Sequence, residues 1–68
     1  MMKGTVRFFH AERGYGSISP ARGGMDTTVY LAAVHIAGWA TLQCDQQLRY
    51  DLAIDRQGRM SAINLEAA

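Results

Sequence analysis

Aromatic residues recur among basic residues in the amino-terminal half of the chain. Phe8, Tyr15 and Tyr30 each fall in a segment with strand character. Exposed aromatic rings can stack on nucleobases, and cations beside them can contact phosphates, which together make a single-strand binding surface. The same rings could instead fill the core of a small barrel, which is a common position for Phe and Tyr. The basic residues interleaved with these rings are Lys3, Arg7 and Arg13.

The segment RGYGSISP, residues 13–20, interrupts this aromatic pattern. Side chains alternate between the two faces of a strand, so Tyr15 and Ser17 share one face while Ile18 points to the other. Ile18 and Val29 are therefore the expected core residues of their strands, and Tyr15 is expected to be exposed. The next exposed position on this strand carries a hydroxyl instead of a ring.

Five short strands, separated by turn residues, are predicted from the β-branched and aromatic segments. Short strands with small turns favour a closed or partly closed antiparallel barrel of the OB type, because closure removes edges that a small sheet cannot protect. We therefore expect an all-β fold in which residues 1–68 form a single domain. The predicted strands cover residues 3–10, 15–19, 27–31, 47–55 and 59–65.

Alternation within the strands also predicts which side chains point inward. Phe8 and Phe9 are adjacent, so one ring is expected in the core and the other outside. Residues 32–46 are predicted to form a long loop with one short helical turn that stops at Gly38. Residues 66–68 are expected to fray. The apolar residues expected to share one face of the fourth strand are Leu48, Tyr50, Leu52 and Ile54.

The charge distribution distinguishes the two parts of the chain. The net charge of the whole chain is +1, which is too small to indicate a nucleic-acid partner by itself. Residues 1–25 hold four basic residues against one acidic residue, a net charge of +3. Residues 26–68 hold three basic residues against five acidic ones, a net charge of −2. The basic part therefore contains most of the aromatic pattern.

Residues that could support catalysis or metal binding are sparse. Neither His10 nor His35 has a second ligand at metal-binding spacing. Cys44 is the only cysteine, so an internal disulfide is excluded, and we expect it to be an ordinary loop residue. No apolar run approaches the roughly 20 residues of a membrane span, and the first residues do not resemble a signal peptide. We therefore expect a cytoplasmic protein that is not an enzyme, without a metal, a cofactor, a membrane contact or a small-molecule substrate.

Taken together, these segments resemble the bacterial cold-shock proteins almost from end to end. Residues 2–20, MKGTVRFFHAERGYGSISP, are similar to the opening of that family, and TVYL, residues 28–31, to its third strand. AGWATL, residues 37–42, resembles its long loop, and DRQGRMSAINL, residues 55–65, its last hairpin and strand. The resemblance implies a five-stranded OB-type barrel that binds single-stranded RNA or DNA with low sequence preference. It also implies a monomer without cofactors that acts as an RNA chaperone.

Two short motifs carry nucleic-acid binding in that family, and both are altered here. The first reads basic residue, glycine, aromatic, glycine, phenylalanine, then isoleucine or valine, and in residues 13–18 Ser17 replaces the phenylalanine. The second reads valine, phenylalanine, valine, histidine, then phenylalanine or isoleucine. In residues 27–31, Thr28 replaces its phenylalanine and Tyr30 its histidine.

Other positions differ from the family in milder ways. Phe8 stands where the family has an exposed tryptophan, and His10 where it has an asparagine. Trp39 stands where a loop phenylalanine reaches over the binding face, and Arg56 matches a basic position near that face. The nucleic-acid-binding residues implied by the resemblance are Lys3, Arg7, Phe8, His10, Arg13, Tyr15, Ser17, Thr28, Tyr30, Trp39 and Arg56.

The two substitutions predict weaker binding. Ser17 and Thr28 are expected to be neighbours across the second and third strands, at the centre of the face. Each stack between a base and an aromatic ring contributes about 1–3 kcal/mol. Loss of both would cost about 2–6 kcal/mol, or roughly 30-fold to several thousand-fold in affinity. The larger rings of Tyr30 and Trp39 could recover part of this loss.

A second interpretation is a cold-shock fold used for protein contact or self-association, with little nucleic-acid binding. The hydroxyls of Ser17, Thr27 and Thr28 and the apolar loop LAAVHIAGW, residues 31–39, favour this alternative. The loop could also act as the hinge of a domain-swapped dimer.

Overall fold

The computed structural model describes residues 1–68 and contains five strands and one short helix. The number and order of the predicted strands are confirmed, as is a short helical segment between the third and fourth. No helix is long and apolar enough to cross a membrane. The elements are β1 (Met2–His10), β2 (Tyr15–Pro20), β3 (Thr27–Tyr30), α1 (Leu31–Ile36), β4 (Gln47–Ile54) and β5 (Met60–Ala67).

Each predicted strand differs from the observed one by one or two residues at one end or both, and two of these differences have a clear structural cause. Leu31 was expected to end the third strand, but it is the first residue of α1. Its N–H donates to the carbonyl of Gly14 at 2.9 Å, and its side chain packs against the core. The tail was expected to fray, but Glu66 and Ala67 continue β5 because they pair with β4.

The strands form a closed ring in the order β1-β2-β3-β5-β4. Four of the neighbouring pairs are antiparallel, and β3 and β5 are parallel. The expected antiparallel barrel is therefore correct apart from this one pair. A ring with an odd number of strands cannot alternate in direction throughout, so one parallel pair is unavoidable.

The interior of the ring holds a small apolar core. Ile18 and Val29 are fully buried, which confirms their predicted inward direction. On β4, Leu48 and Tyr50 are fully buried and Leu52 packs against the core. Ile54 was expected on the same inward face, but this last residue of β4 is 70% exposed. The buried core residues are Val6, Ile18, Val29, Val34, Leu42, Leu48, Tyr50, Ala62 and Leu65.

Replacing Tyr50 with Phe tests how much the buried hydroxyl of Tyr50 destabilises the core. The hydroxyl of Tyr50 is buried and has no hydrogen-bond partner. A buried hydroxyl without a partner retains its desolvation penalty, so we expect Tyr50→Phe to raise the free energy of unfolding by about 1 kcal/mol in urea denaturation. Tyr30→Phe, at a partly exposed ring, is the control and should leave stability unchanged. A Tyr50→Phe variant less stable than the parent would contradict this account of the core.

Candidate nucleic-acid interface

A β-bulge in β1 turns the ring of Phe8 to the outside of the barrel. Val6 pairs with Ile18 and Phe8 pairs with Ser17, so Arg7 between them has no partner on β2. An extra residue of this kind shifts the alternation of side chains by one position. Val6 is fully buried, whereas Phe8 is 39% exposed. In a regular strand, these two side chains would have shared the inward face.

The segment before β4 satisfies the backbone of this bulge. The Val6 N–H donates to the carbonyl of Gln46 and the Asp45 N–H donates to the carbonyl of Val6, each at 2.8 Å. The thiol of Cys44 donates to the carbonyl of Arg7 at 3.0 Å. Asp45 adopts a positive φ of 68° to make this approach. Cys44, which was expected to be an ordinary loop residue, therefore supports the bulge through its thiol.

Gly16 on β2 provides the space into which Phe9 fits. A Cβ atom at Gly16 would lie 2.5 Å from the carbonyl oxygen of Phe8 and 2.5 Å from Cδ1 of Phe9. Phe9 is half-buried and packs against the core. The expectation that one of the two adjacent rings lies inside is confirmed, and the bulge and Gly16 determine which one.

Three rings form a cluster on the outer surface of β1 and β2. The ring centroids of Phe8 and His10 are 5.0 Å apart, and those of Phe8 and Tyr15 are 6.3 Å apart in an edge-on arrangement. His10 and Tyr15 pair across the strands, with centroids 6.1 Å apart. We refer to Phe8, His10 and Tyr15 as the ring cluster.

Tyr30 extends this aromatic surface onto β3. It pairs with Tyr15 across the β2–β3 ladder and is 39% exposed. His10, Tyr15 and Tyr30 therefore occupy corresponding positions on three neighbouring strands.

A row of hydroxyls lies beside these rings. Ser17 and Thr28 pair across β2 and β3, which confirms that they are neighbours. Phe8 pairs with Ser17 at one end of the row, and Ser61 of β5 pairs with Thr28 at the other. Ser61 was not among the predicted site residues, because the sequence pattern does not indicate the parallel pairing of β3 with β5. Thr27 was included in the exposed hydroxyl patch, but this was wrong, since it points inward and is only 7% exposed.

The four predicted phosphate-binding cations are distributed over β1 and two turns. Arg7 is exposed but forms an ion pair with Asp26, with Nη1 and Oδ2 3.0 Å apart. Arg13 lies in the β1–β2 turn, beside the ring cluster, and its N–H donates to the carbonyl of His10. The remaining two are exposed and form no ion pair: Lys3 on β1 and Arg56 in the β4–β5 turn.

Trp39 lies apart from the ring cluster. Its side chain is half-buried and packs against the core, and its N–H donates to the carbonyl of Val34 at 3.1 Å. Gly38 precedes it with a φ of 89°, which ends the helical segment. Trp39 makes no ring contact with Phe8, and no other ring pair in the structure includes it.

No group of three or more His, Cys, Asp or Glu side chains is placed to hold a metal ion.

Comparison with known proteins agrees with the closed ring of five strands. The model of the 'Cold-shock' DNA-binding domain matches residues 2–68. This chain belongs to the cold-shock domain family. A probable cold shock protein of Sinorhizobium fredii is 44% identical over 98% of this chain and 99% of its own length. Cold shock protein CspA of Rhizobium meliloti is 41% identical over the full length of both chains. Cold shock-like protein CspD of Escherichia coli is 30% identical over 93% of this chain and 85% of its own length.

Replacing Gly16 with Ala tests the close approach that positions the two phenylalanines of this cold-shock domain. The new methyl group would collide with the β1 backbone and the Phe9 ring. We expect Gly16→Ala to lower the free energy of unfolding by about 1–3 kcal/mol, as overpacking typically does. Ser19→Ala on the same strand is the control and should change stability by less than about 0.5 kcal/mol. Equal stability of the two variants in urea denaturation would contradict the proposed role of Gly16.

Proposed function

We propose that this cold-shock domain binds single-stranded RNA or DNA across the outer surface of β1, β2 and β3. The observation that supports this most directly is the exposed aromatic surface formed by the ring cluster and Tyr30 on three adjacent strands. Aromatic side chains on neighbouring strands can take successive bases of one strand, because every base has a π-face. The family model that matches the chain describes a DNA-binding domain.

The exposed cations would hold the phosphates of the same strand. Arg13 adjoins the ring cluster through its turn, and Lys3 on β1 and Arg56 in the β4–β5 turn form no ion pair. Phosphate contacts of this kind release counterions, so the affinity should fall as salt concentration rises. Since the net charge of the chain is only +1, stacking must provide a large share of the binding free energy.

The centre of the surface supports weak binding. Phe8, Tyr15 and Tyr30 surround Ser17 and Thr28, which have no ring to offer a base. We propose that this protein binds more weakly than a cold-shock domain with phenylalanine at both positions. Weak, salt-sensitive contacts would let the protein leave a transcript readily, which suits a cytoplasmic RNA chaperone that acts as a monomer.

Fluorescence polarisation with labelled heptathymidine and heptauridine tests the proposed function. We expect saturable binding at low salt that weakens at about 0.2 M salt. Trp39 fluorescence would be followed in the same titration, to show whether the long loop takes part in binding. No binding of either strand at high micromolar protein would overturn the proposal.

Protein contact is the second candidate function, and exposed apolar side chains support it. Ile36 on α1 is 84% exposed, and Ile54 and Met60, which pair across β4 and β5, are 70% and 48% exposed. Exposed apolar groups of this kind can mark an interface. Light scattering after size exclusion distinguishes the candidates, since self-association requires a mass that rises with concentration. A mass of 7.5 kDa at every concentration would contradict self-association.

Restoring two rings tests the reason for weak binding. Ser17 and Thr28 lie side by side, and both are partly exposed. We expect the double variant Ser17→Phe and Thr28→Phe to bind heptathymidine at least tenfold more tightly, because each new stack adds about 1–3 kcal/mol. Ser19→Phe, one step further along the outer side of β2, is the matched control and should change affinity little. An increase of less than tenfold in the double variant would contradict the explanation from missing rings.

Releasing Arg7 from its ion pair tests the contribution of phosphate contacts. In Asp26→Asn, the guanidinium that now faces a carboxylate at 3.0 Å would be free to contact a phosphate. One additional contact should steepen the slope of log K against log salt by about 0.7. Glu66→Gln is the control with the same change in net charge, since it opens the Arg49 ion pair on β4 and β5. The same salt slope in Asp26→Asn and Glu66→Gln would show that Arg7 does not contact the strand.

A further inference from the structure

The hydroxyl row of Ser17, Thr28 and Ser61 has a geometry suited to hydrogen bonding. The three residues lie in register on β2, β3 and β5, and each is half-buried. Neighbouring strands are about 4.8 Å apart, so the three hydroxyls are spaced evenly across the sheet. Each hydroxyl can donate one hydrogen bond and accept two.

None of these hydroxyls is used by the fold. The side-chain hydrogen bonds in the structure involve other residues. Arg7 and Asn64, in contrast, use their side chains in hydrogen bonds with Asp26 and Asp51. The donor and acceptor sites of all three hydroxyls are therefore available to a ligand that covers this surface.

The surroundings of the row determine what can cover it. Phe8 closes the row at the β1 end, and Tyr15 and Tyr30, which pair across β2 and β3, lie along its side. At the β5 end, Ser61 and Tyr30 border a cavity of about 240 Å³ between α1 and β5. A nucleotide whose base stacks on one of these rings would place its polar atoms close to the hydroxyls.

We infer that the hydroxyl row forms hydrogen bonds with the polar atoms of bound nucleotides and makes binding selective among strands. This inference rests on the proposed function. The bonded groups belong to the edge of a base or to the ribose 2′-hydroxyl, and both offer donors and acceptors to a hydroxyl. A ring at these positions would accept any base, since stacking is tolerant of sequence. A hydroxyl that is covered by a bound strand gives up its hydrogen bonds to water. If the strand offers no matching group, this lowers the binding free energy, so such a strand is bound less tightly.

The test removes the hydroxyls while keeping the shape of the surface. The triple variant Ser17→Ala, Thr28→Val and Ser61→Ala would be titrated with heptauridine RNA, heptadeoxyuridine and heptadeoxycytidine. The control is Thr5→Val with Ser19→Ala, since Thr5 and Ser19 pair outside the row on β1 and β2. Thermal unfolding would confirm that each variant is folded. If the triple variant does not fold, Thr28→Val is compared with Thr28→Ser, which keeps the hydroxyl.

We expect the triple variant to lose about fivefold in affinity for each hydrogen bond removed and to lose it unequally among the strands. A loss confined to heptauridine identifies the 2′-hydroxyl, and a changed ratio between the two DNA strands identifies a base edge. Equal losses on all three strands, or no loss on any, would overturn the inference while the proposed function stands. Failure of the unaltered protein to bind any strand would overturn the proposed function itself.

Discussion

The candidate interface depends on Arg7, the residue of β1 that has no partner on β2. Without this extra residue, strand alternation would direct Phe8 toward the core, on the same face as Val6. The bulge is supported from outside by hydrogen bonds from the segment of Cys44 and Asp45, which satisfy backbone groups that β4 no longer reaches. A loop distant in sequence therefore helps to determine that an aromatic ring faces solvent.

Closure of the ring has a second consequence for the surface. Because the number of strands is odd, one neighbouring pair must run parallel. That pair is β3 and β5, and it brings Ser61 beside Thr28. The outer surface of the barrel thus combines two kinds of chemistry in adjacent rows. One row carries aromatic rings, including Tyr15 and Tyr30, and the other carries Phe8 followed by three hydroxyls. The rings can bind any base, whereas the hydroxyls require a polar partner.

Local pattern was sufficient to predict the strands, because they follow from alternation and turn residues. The pairing of Ser17 with Thr28 was predicted from the resemblance to the cold-shock family. Features that depend on distant contacts were not predictable in this way. The bulge at Arg7 requires the Cys44 segment, and the extension of β5 requires its partner strand. The placement of Thr27 in a surface patch, in contrast, was an avoidable error, because the alternation that directs Val29 inward also directs Thr27 inward, where it pairs with Ile18. The resemblance to the cold-shock family identified the fold, whereas the placement of Trp39 against the core came only from the structure.

The most direct test of the central claim is a titration of the ¹⁵N-labelled protein with heptauridine, followed by the chemical shifts of its backbone amides. If nucleic acid binds across β1, β2 and β3, the largest shifts should fall on Phe8, Tyr15, Ser17, Thr28 and Tyr30. Shifts concentrated instead around Ile36 and Ile54, or no shifts at saturating strand, would contradict the claim that this aromatic and hydroxyl surface is the binding site.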